Sequence, residues 1–257
     1  MDENSTIRSR NNALLKRVGG VVSGKDREAL VLEGDRLIDD AMSAGWQLEV
    51  ILVEEEREQR AREWGEQGQS VRLVEKELLR RASGLDSSPG SLALAPIPSA
   101  KSMAELDTQQ APRVLVIAGL QNPGNLGALA RSAEAAGFGS IVVVAGGARP
   151  FGAKALRGSM GSLLRVDVFP AESAHETSEQ LRALGYRQVC AATREGKHWQ
   201  EFDWSTPIAI WVGGEAGLDP EAMSAFEGVS IPMAGQVESL NITVAASLLL
   251  FSAGAVR

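Results

Sequence analysis

The sequence predicts an α/β protein organised around a parallel sheet, and three observations carry that expectation. From Arg113 onward, short apolar runs (residues 114–118, 140–144, 187–192 and 208–212) alternate with helix-forming stretches. The runs are apolar on both faces, as strands covered by helices on each side must be. The chain of 257 residues is 44% hydrophobic and 23% charged, which suits one or two domains with ordinary buried cores.

Residues 1–95 read as a small α/β unit. Residues 11–18 look helical and basic, 29–33 form a strand, and a helix over 35–44 ends at Gly45. Residues 48–53 give a second strand and 54–64 a charged helix. Proline, glycine and serine then accumulate over 83–112, so a linker is expected there, with a short strand over 91–97 as a possible addition. The expected boundaries are a first domain over 1–95, a linker over 96–112, and a second domain over 113–257. In that domain a helix over 126–136 stops at Gly137. A short helix over 154–158, a strand over 163–168 and a helix over 176–184 follow. No repeat of solenoid type is present.

Composition excludes several classes. Cys190 is the only cysteine, so no intrachain disulfide can form, and a reducing cytoplasm fits. It reads as a small buried apolar residue. With only His175 and His198 besides, no metal site is expected. The acidic start, Met1-Asp-Glu-Asn-Ser-Thr, is unlike a signal peptide. Residues 239–256 are uncharged but hold Asn241, Thr243, Ser247 and Ser252, so they read as a buried helix rather than a membrane span. The net charge of -7 argues against coating nucleic acid by bulk electrostatics. A local basic surface is compatible with it: Arg8, Arg10, Lys16, Arg17, Lys25 and Arg27 are opposed only by Asp26. That run reads equally as a solvated helix face. Gly19-Gly-Val-Val-Ser-Gly-Lys25 approaches a phosphate-loop pattern, but Asp26 stands where Ser or Thr would bind magnesium and no apolar strand precedes it. A basic turn is the expectation.

Three stretches carry candidate chemistry. The strand at 114–118 runs into a Gly- and Asn-rich loop and a small-sided helix, the place where α/β proteins put ligands. The loop lacks Gly-x-Gly-x-x-Gly, which disfavours a nicotinamide-dependent dehydrogenase. Arg131 sits among Ala128, Leu129, Ala130 and Ala133, where an arginine is expected to need a partner. The strand at 208–212 runs into Gly213-Gly-Glu-Ala-Gly-Leu-Asp-Pro220. Glu215 there reads either as functional or as part of an acidic turn before a helix opened by Asp219-Pro220. Residues 231–251 begin as an irregular loop with Pro232 and Gly235 and become an Ala- and Leu-rich helix from about Leu240. Ser239 and Asn241 stand at that junction, where a cap belongs and where unpaired N–H groups invite a ligand.

The last stretch, Ile231-Pro-Met-Ala-Gly-Gln-Val-Glu-Ser-Leu-Asn-Ile-Thr-Val-Ala245, resembles the third signature of the SpoU/TrmH RNA ribose 2'-O-methyltransferases of the SPOUT class. Asn125, Gly127 and Arg131 resemble the first signature. Residues 213–218 resemble the second, with Ala216 for a glycine and one residue fewer between Glu215 and Gly217. Leu32-Glu-Gly34 and the helix after it resemble the ribosomal-protein-like substrate-binding domain of many members.

The resemblance implies a knotted (trefoil) catalytic domain preceded by a small substrate-binding domain. It also implies S-adenosylmethionine as cofactor and ribosomal RNA as substrate, with transfer RNA as the alternative. It assigns cofactor contact to Gly213, Ile231 and Leu240, and catalytic roles to Arg131, Asn125, Glu215, Ser239 and Asn241. Arg131 is either a proton acceptor or a cation steadying phosphate and alkoxide, since a free guanidinium has a pKa above about 12 and is a poor base. A homodimer is implied as well, with its active site near the interface. A non-catalytic RNA-binding protein of the same fold stays open as a second reading because of the shortened signature.

Overall fold

The computed structural model describes residues 6–192, 196–204, 207–214, 218 and 226–254. The chain divides into two compact units, Met1–Pro98 with Phe151–Arg157, and Ser99–Pro150 with Gly158–Arg257.

The first unit holds helix α1 (Ala13–Val22), strand β1 (Ala29–Glu33), α2 (Asp35–Ser43), β2 (Val50–Glu54), α3 (Glu58–Glu66), β3 (Val71–Val74), α4 (Lys76–Ser83) and β4 (Ser91–Pro96). Its sheet runs β1-β4-β2-β3, with β4 antiparallel to both neighbours and β2 parallel to β3. Strands β1 and β2 are buried along their whole length, which is why their sequences lack alternation. Two expectations change here. The strand at 91–97 is central to the sheet rather than a decoration on a linker. Helix α1 continues through Gly19 and Gly20, so the basic turn begins only at Ser23.

A charged network ties this unit together. Asp35 accepts two hydrogen bonds from Arg57, at 3.0 and 2.6 Å, and one from the Ser91 hydroxyl at 2.6 Å. Arg60 pairs with Asp39 and Glu63 and lies 4.2 Å from the centre of the Trp64 ring. Glu33 is buried and paired with Arg157, and its burial pushes the carboxyl above its ordinary range.

The second unit holds β5 (Arg113–Ala118), α5 (Pro123–Ala135), β6 (Ser140–Val144), the end of α6 (Ala153–Ser159, which begins in the first unit), β7 (Asp167–Ala171), α7 (Ala174–Ala183), β8 (Arg187–Ala192), β9 (Lys197–His198), β10 (Ile208–Gly213), β11 (Glu227–Ser230) and α8 (Ile242–Gly254). Its seven described strands lie in the order β7-β6-β5-β10-β8-β11-β9, and every pairing is parallel. The parallel sheet read from the sequence is therefore present. One strand is displaced. Residues 162–164 form a single 3-10 turn, and the strand expected over 163–168 starts at Asp167. Helix α8 packs along α5, where the Ser247 and Ser132 hydroxyls meet at 2.8 Å, and Arg113 Nε donates to the Ala253 carbonyl at 2.8 Å. Among the described residues no helix is long and apolar enough to cross a membrane.

Burial raises the Asp35 carboxyl, but the hydrogen bonds from Arg57 and Ser91 outweigh it and hold the group below the usual carboxylate range. A depressed folded-state pKa contributes stability above the unfolded value, near 3.9, and loses it as pH falls through the folded one. Asp35→Asn is expected to cost roughly 1–2 kcal/mol, discounted for partial exposure. In urea unfolding at stepped pH, the gap from wild type should stay constant from pH 7 to about 5 and narrow only below about 4.

Candidate active site

The C-terminal ends of β5, β8, β10 and β11 open on one cavity of about 690 Å³. Its place follows from the strand order. From β5 the chain steps outward through β6 to β7, and the later strands β10 and β8 lie on the other side of β5. At such a reversal the connecting loops diverge and leave a crevice beyond the strand ends. The volume lies within the range of small-molecule sites, about 300–1,000 Å³.

Two loops form the near wall by touching backbone to backbone. Gly214 N donates to the Ala118 carbonyl at 2.9 Å. A Cβ on Gly214 would stand 2.1 Å from the Gly119 carbonyl oxygen, and Gly119 itself has φ +68°. The Gln121 amide reaches across to the Gly146 carbonyl at 2.8 Å and fixes the loop after β5 against the loop after β6.

Two helix starts face the cavity. Asn122 caps α5, accepting from Gly124 N at 2.8 Å, with Pro123 in the first helical position. Asn241 caps α8, accepting from Thr243 N at 2.8 Å on its side chain and from Ala245 N at 3.0 Å on its carbonyl. Both caps line the cavity. Its inner wall is apolar, with Leu120, Trp211, Leu218, Ile231, Leu240 and Leu249, and no described lining residue carries a charge. Trp211 is held in place: its Nε1 donates to Gln188 Oε1 at 3.0 Å, and Gln188 Nε2 donates to the Ser178 carbonyl at 3.0 Å. An apolar slot with amides and helix N–H groups at its rim suits a flat heterocycle carrying a polar tail.

The structure brings Asn125, Gly213, Ile231, Ser239, Leu240 and Asn241 to this cavity. It does not bring Arg131, which is exposed on α5. Asn125 and Arg131 are six residues apart, about 600° of helical rotation, so they leave the helix on different faces. Among the described residues Arg131 has no hydrogen-bond or ion-pair partner. The expectation that it needed one is corrected, because the side chain is exposed. Glu215 lies outside the described residues, as do Asp219 and Pro220. Sequence reasoning missed Gln121, Asn122, Trp211 and Cys190 as lining residues. Asn122-Pro123 was legible as a helix start. Cys190 is buried as expected, and burial pushes its thiol up, so it is no ready nucleophile.

Residues 112–251 match the SpoU rRNA Methylase family, and residues 24–93 match the MRM3-like substrate binding domain. The chain belongs to the SpoU rRNA Methylase family. Among SpoU relatives, the 23S rRNA (guanosine(2553)-2'-O)-methyltransferase RlmP of Bacillus subtilis strain 168 is 28% identical over 250 residues, covering 95% of this chain and 97% of that one. The 23S rRNA (uridine(2479)-2'-O)-methyltransferase of Streptomyces viridochromogenes is 31% identical over 241 residues, covering 88% and 82%. The AdoMet-bound rRNA methyltransferase from Sinorhizobium meliloti superposes with a TM-score of 0.86 at 25% identity, covering 98% of this chain and 97% of that one.

Because a methyl group at position 214 overlaps backbone, Gly214→Ala forces the two loops apart. Overpacking of this kind costs about 1–3 kcal/mol, and a chain of this size shifts its thermal midpoint by roughly 2–4 °C per kcal/mol. The expected result is a midpoint lowered by several degrees together with lost ligand binding in the cavity. Gly139→Ala, where a Cβ meets nothing within 4 Å, should leave both unchanged.

Proposed function

We propose that this SpoU-family chain transfers a methyl group from S-adenosylmethionine to a ribose 2'-hydroxyl of RNA, with ribosomal RNA as the substrate class. The observation that carries this reading is the convergence of Asn125, Gly213, Ile231, Ser239, Leu240 and Asn241 on one uncharged cavity at the strand ends. The relatives named above act on 23S rRNA, and the AdoMet-bound neighbour spans nearly the whole chain.

The cavity fits the cofactor in its chemistry. Its apolar wall suits the adenine, and Gly213, Ile231 and Leu240 are the residues we assign to hold it. S-adenosylmethionine, when bound, supplies an electrophilic methyl on a sulfonium sulfur. Asn125, Ser239 and Asn241 orient the ribose by hydrogen bonds, so that much of the rate gain comes from positioning. Arg131 acts as a cation beside the RNA phosphate and the developing alkoxide. Its exposure on α5 supports a role in contact with the RNA phosphate. Glu215 fixes the loop after β10 or a neighbouring positive group.

Residues 1–95 serve as the RNA-binding domain, 96–112 as linker and 113–257 as the catalytic domain; the separate family match over 24–93 supports the division. A trefoil knot in the C-terminal segment is supported by β11 lying between β8 and β9 and by α8 returning to line the cavity. A homodimer is supported by the outer face of α8. Val244 and Phe251 are 50% and 52% exposed there, beside an apolar hollow lined also by Trp199 and Leu248. In such a dimer Arg131 completes a site it does not reach in its own protomer. A cytoplasmic location follows from the substrate class.

Labelled methyl from S-adenosylmethionine should enter RNA, and primer extension should map it to a ribose 2'-oxygen; no incorporation into ribosomal RNA would end the proposal. Arg131→Ala should lower turnover by about 10²–10³-fold while S-adenosylhomocysteine binds as before. Cys190 is the sole thiol and lines the cavity, so S-adenosylhomocysteine should slow its alkylation at pH 8.5, read by intact mass. Val244→Asp/Phe251→Asp should shift the light-scattering mass from dimer to monomer.

A further inference from the structure

We infer that the outer ridge of α1, together with the turn that leaves it, is a landing surface for the RNA sugar–phosphate backbone. The inference rests on the RNA reading above and adds to it where the first unit makes contact. Leu15, Val18 and Val21 point α1 into the core, with Leu14 and Val22 partly buried beside them. The opposite ridge therefore carries Lys16, Gly19, Gly20 and Ser23. The turn folds back over this ridge: Lys25 N, Asp26 N and the Ser23 hydroxyl all donate to the Gly20 carbonyl, at 2.9, 3.1 and 3.1 Å. Lys16 and Lys25 thus flank the same turn of helix, with Arg10 just ahead of it and Arg27 just beyond.

Charge sets this helix and its flanks apart. Among the described residues Arg10, Lys16, Lys25 and Arg27 are exposed and have no ion-pair partner. The cations of α3 and α4 behave differently: Arg60, Arg62, Lys76, Arg80 and Arg81 each hold a carboxylate. The acids near the ridge are Asp26 and Glu49, both engaged by Arg17, and Glu28, which is exposed. In a chain of net charge -7, four unneutralised cations on α1 and the segments flanking it complement a polyanion.

The paired glycines point the same way. Each costs a helix interior about 1 kcal/mol relative to alanine. Neither has a positive φ, a Cβ on Gly19 would meet nothing within 4 Å, and one on Gly20 would meet only Asp26 at ordinary contact distance. The folded chain has no steric need for them. The bare backbone at Gly19, beside Lys16, lets a broad partner approach the helix closely.

The test measures binding of fluorescein-labelled ribosomal RNA fragments across a salt series. Lys16→Gln/Lys25→Gln should weaken binding roughly tenfold at 0.1 M salt and reduce the slope of log K against log salt by about 1–2. Its thermal midpoint and S-adenosylhomocysteine affinity should match wild type. Gly19→Ala should raise the thermal midpoint yet weaken RNA binding at unchanged salt slope, a combination that damage to the fold does not produce. Wild-type RNA affinity and slope in the double variant would overturn the surface and leave the RNA reading standing. Wild-type protein that binds S-adenosylhomocysteine but no RNA would overturn both.

Discussion

The carboxyl ends of β5 and β10 are pressed so closely that the loops leaving them meet through backbone alone, and the site depends on that contact. Gly214 can lie against Gly119 only because it has no side chain, Gly119 turns the chain there with φ +68°, and the hydrogen bond from Gly214 N to the Ala118 carbonyl locks the approach. With the two loops drawn together, the cavity is bounded on its remaining sides by the ends of β8 and β11 and by the starts of α5 and α8. Separating the loops by the width of a methyl group would turn a bounded slot into an open surface, where neither the apolar wall nor the helix caps could act on one ligand together.

That contact also explains the make-up of the walls. Backbone N–H groups at two helix starts and the amides of Asn122, Asn125 and Asn241 supply polarity, and no described lining side chain is charged. A small ligand with its own fixed charge is better held this way, because opposite charges buried beside it would each incur a desolvation cost. The fixed indole of Trp211, tied through Gln188 to the Ser178 carbonyl, keeps the apolar side rigid. Rigidity matters because a positioned reaction loses rate steeply when its partners are displaced.

Legibility in the sequence followed the physics of each segment. The parallel sheet was readable because strands buried on both faces leave continuous apolar runs, and β1, β6 and β8 begin and end where those runs do. The site loops were readable because backbone-lined cavities demand Gly and Asn in unusual density. What escaped was set by tertiary context. Strand β4 sits in a stretch broken by Pro, Gly and Ser, and only its two antiparallel neighbours make it central. Leu163 and Leu164 look like strand residues, yet Gly161, with φ +86°, turns the chain into a 3-10 helix there. Arg131 looked in need of a partner among its small apolar neighbours, but helical rotation sends it to a different face from Asn125, where it is exposed.

An acidic protein that handles a polyanion faces a problem of sign, and its charges are arranged accordingly. Bulk repulsion from a net charge of -7 weakens indiscriminate attachment to nucleic acid, which abounds in any cell that makes ribosomes. Binding must then come from places where cations outnumber their local carboxylates. Across most of the first unit the arginines are consumed by internal pairs, as at Arg57–Asp35 and Arg60–Asp39, and contribute rigidity rather than attraction. The cations that remain unneutralised around α1, and Arg131 on α5, are among the groups free to meet an RNA, while the neutral cavity is left free to discriminate by shape.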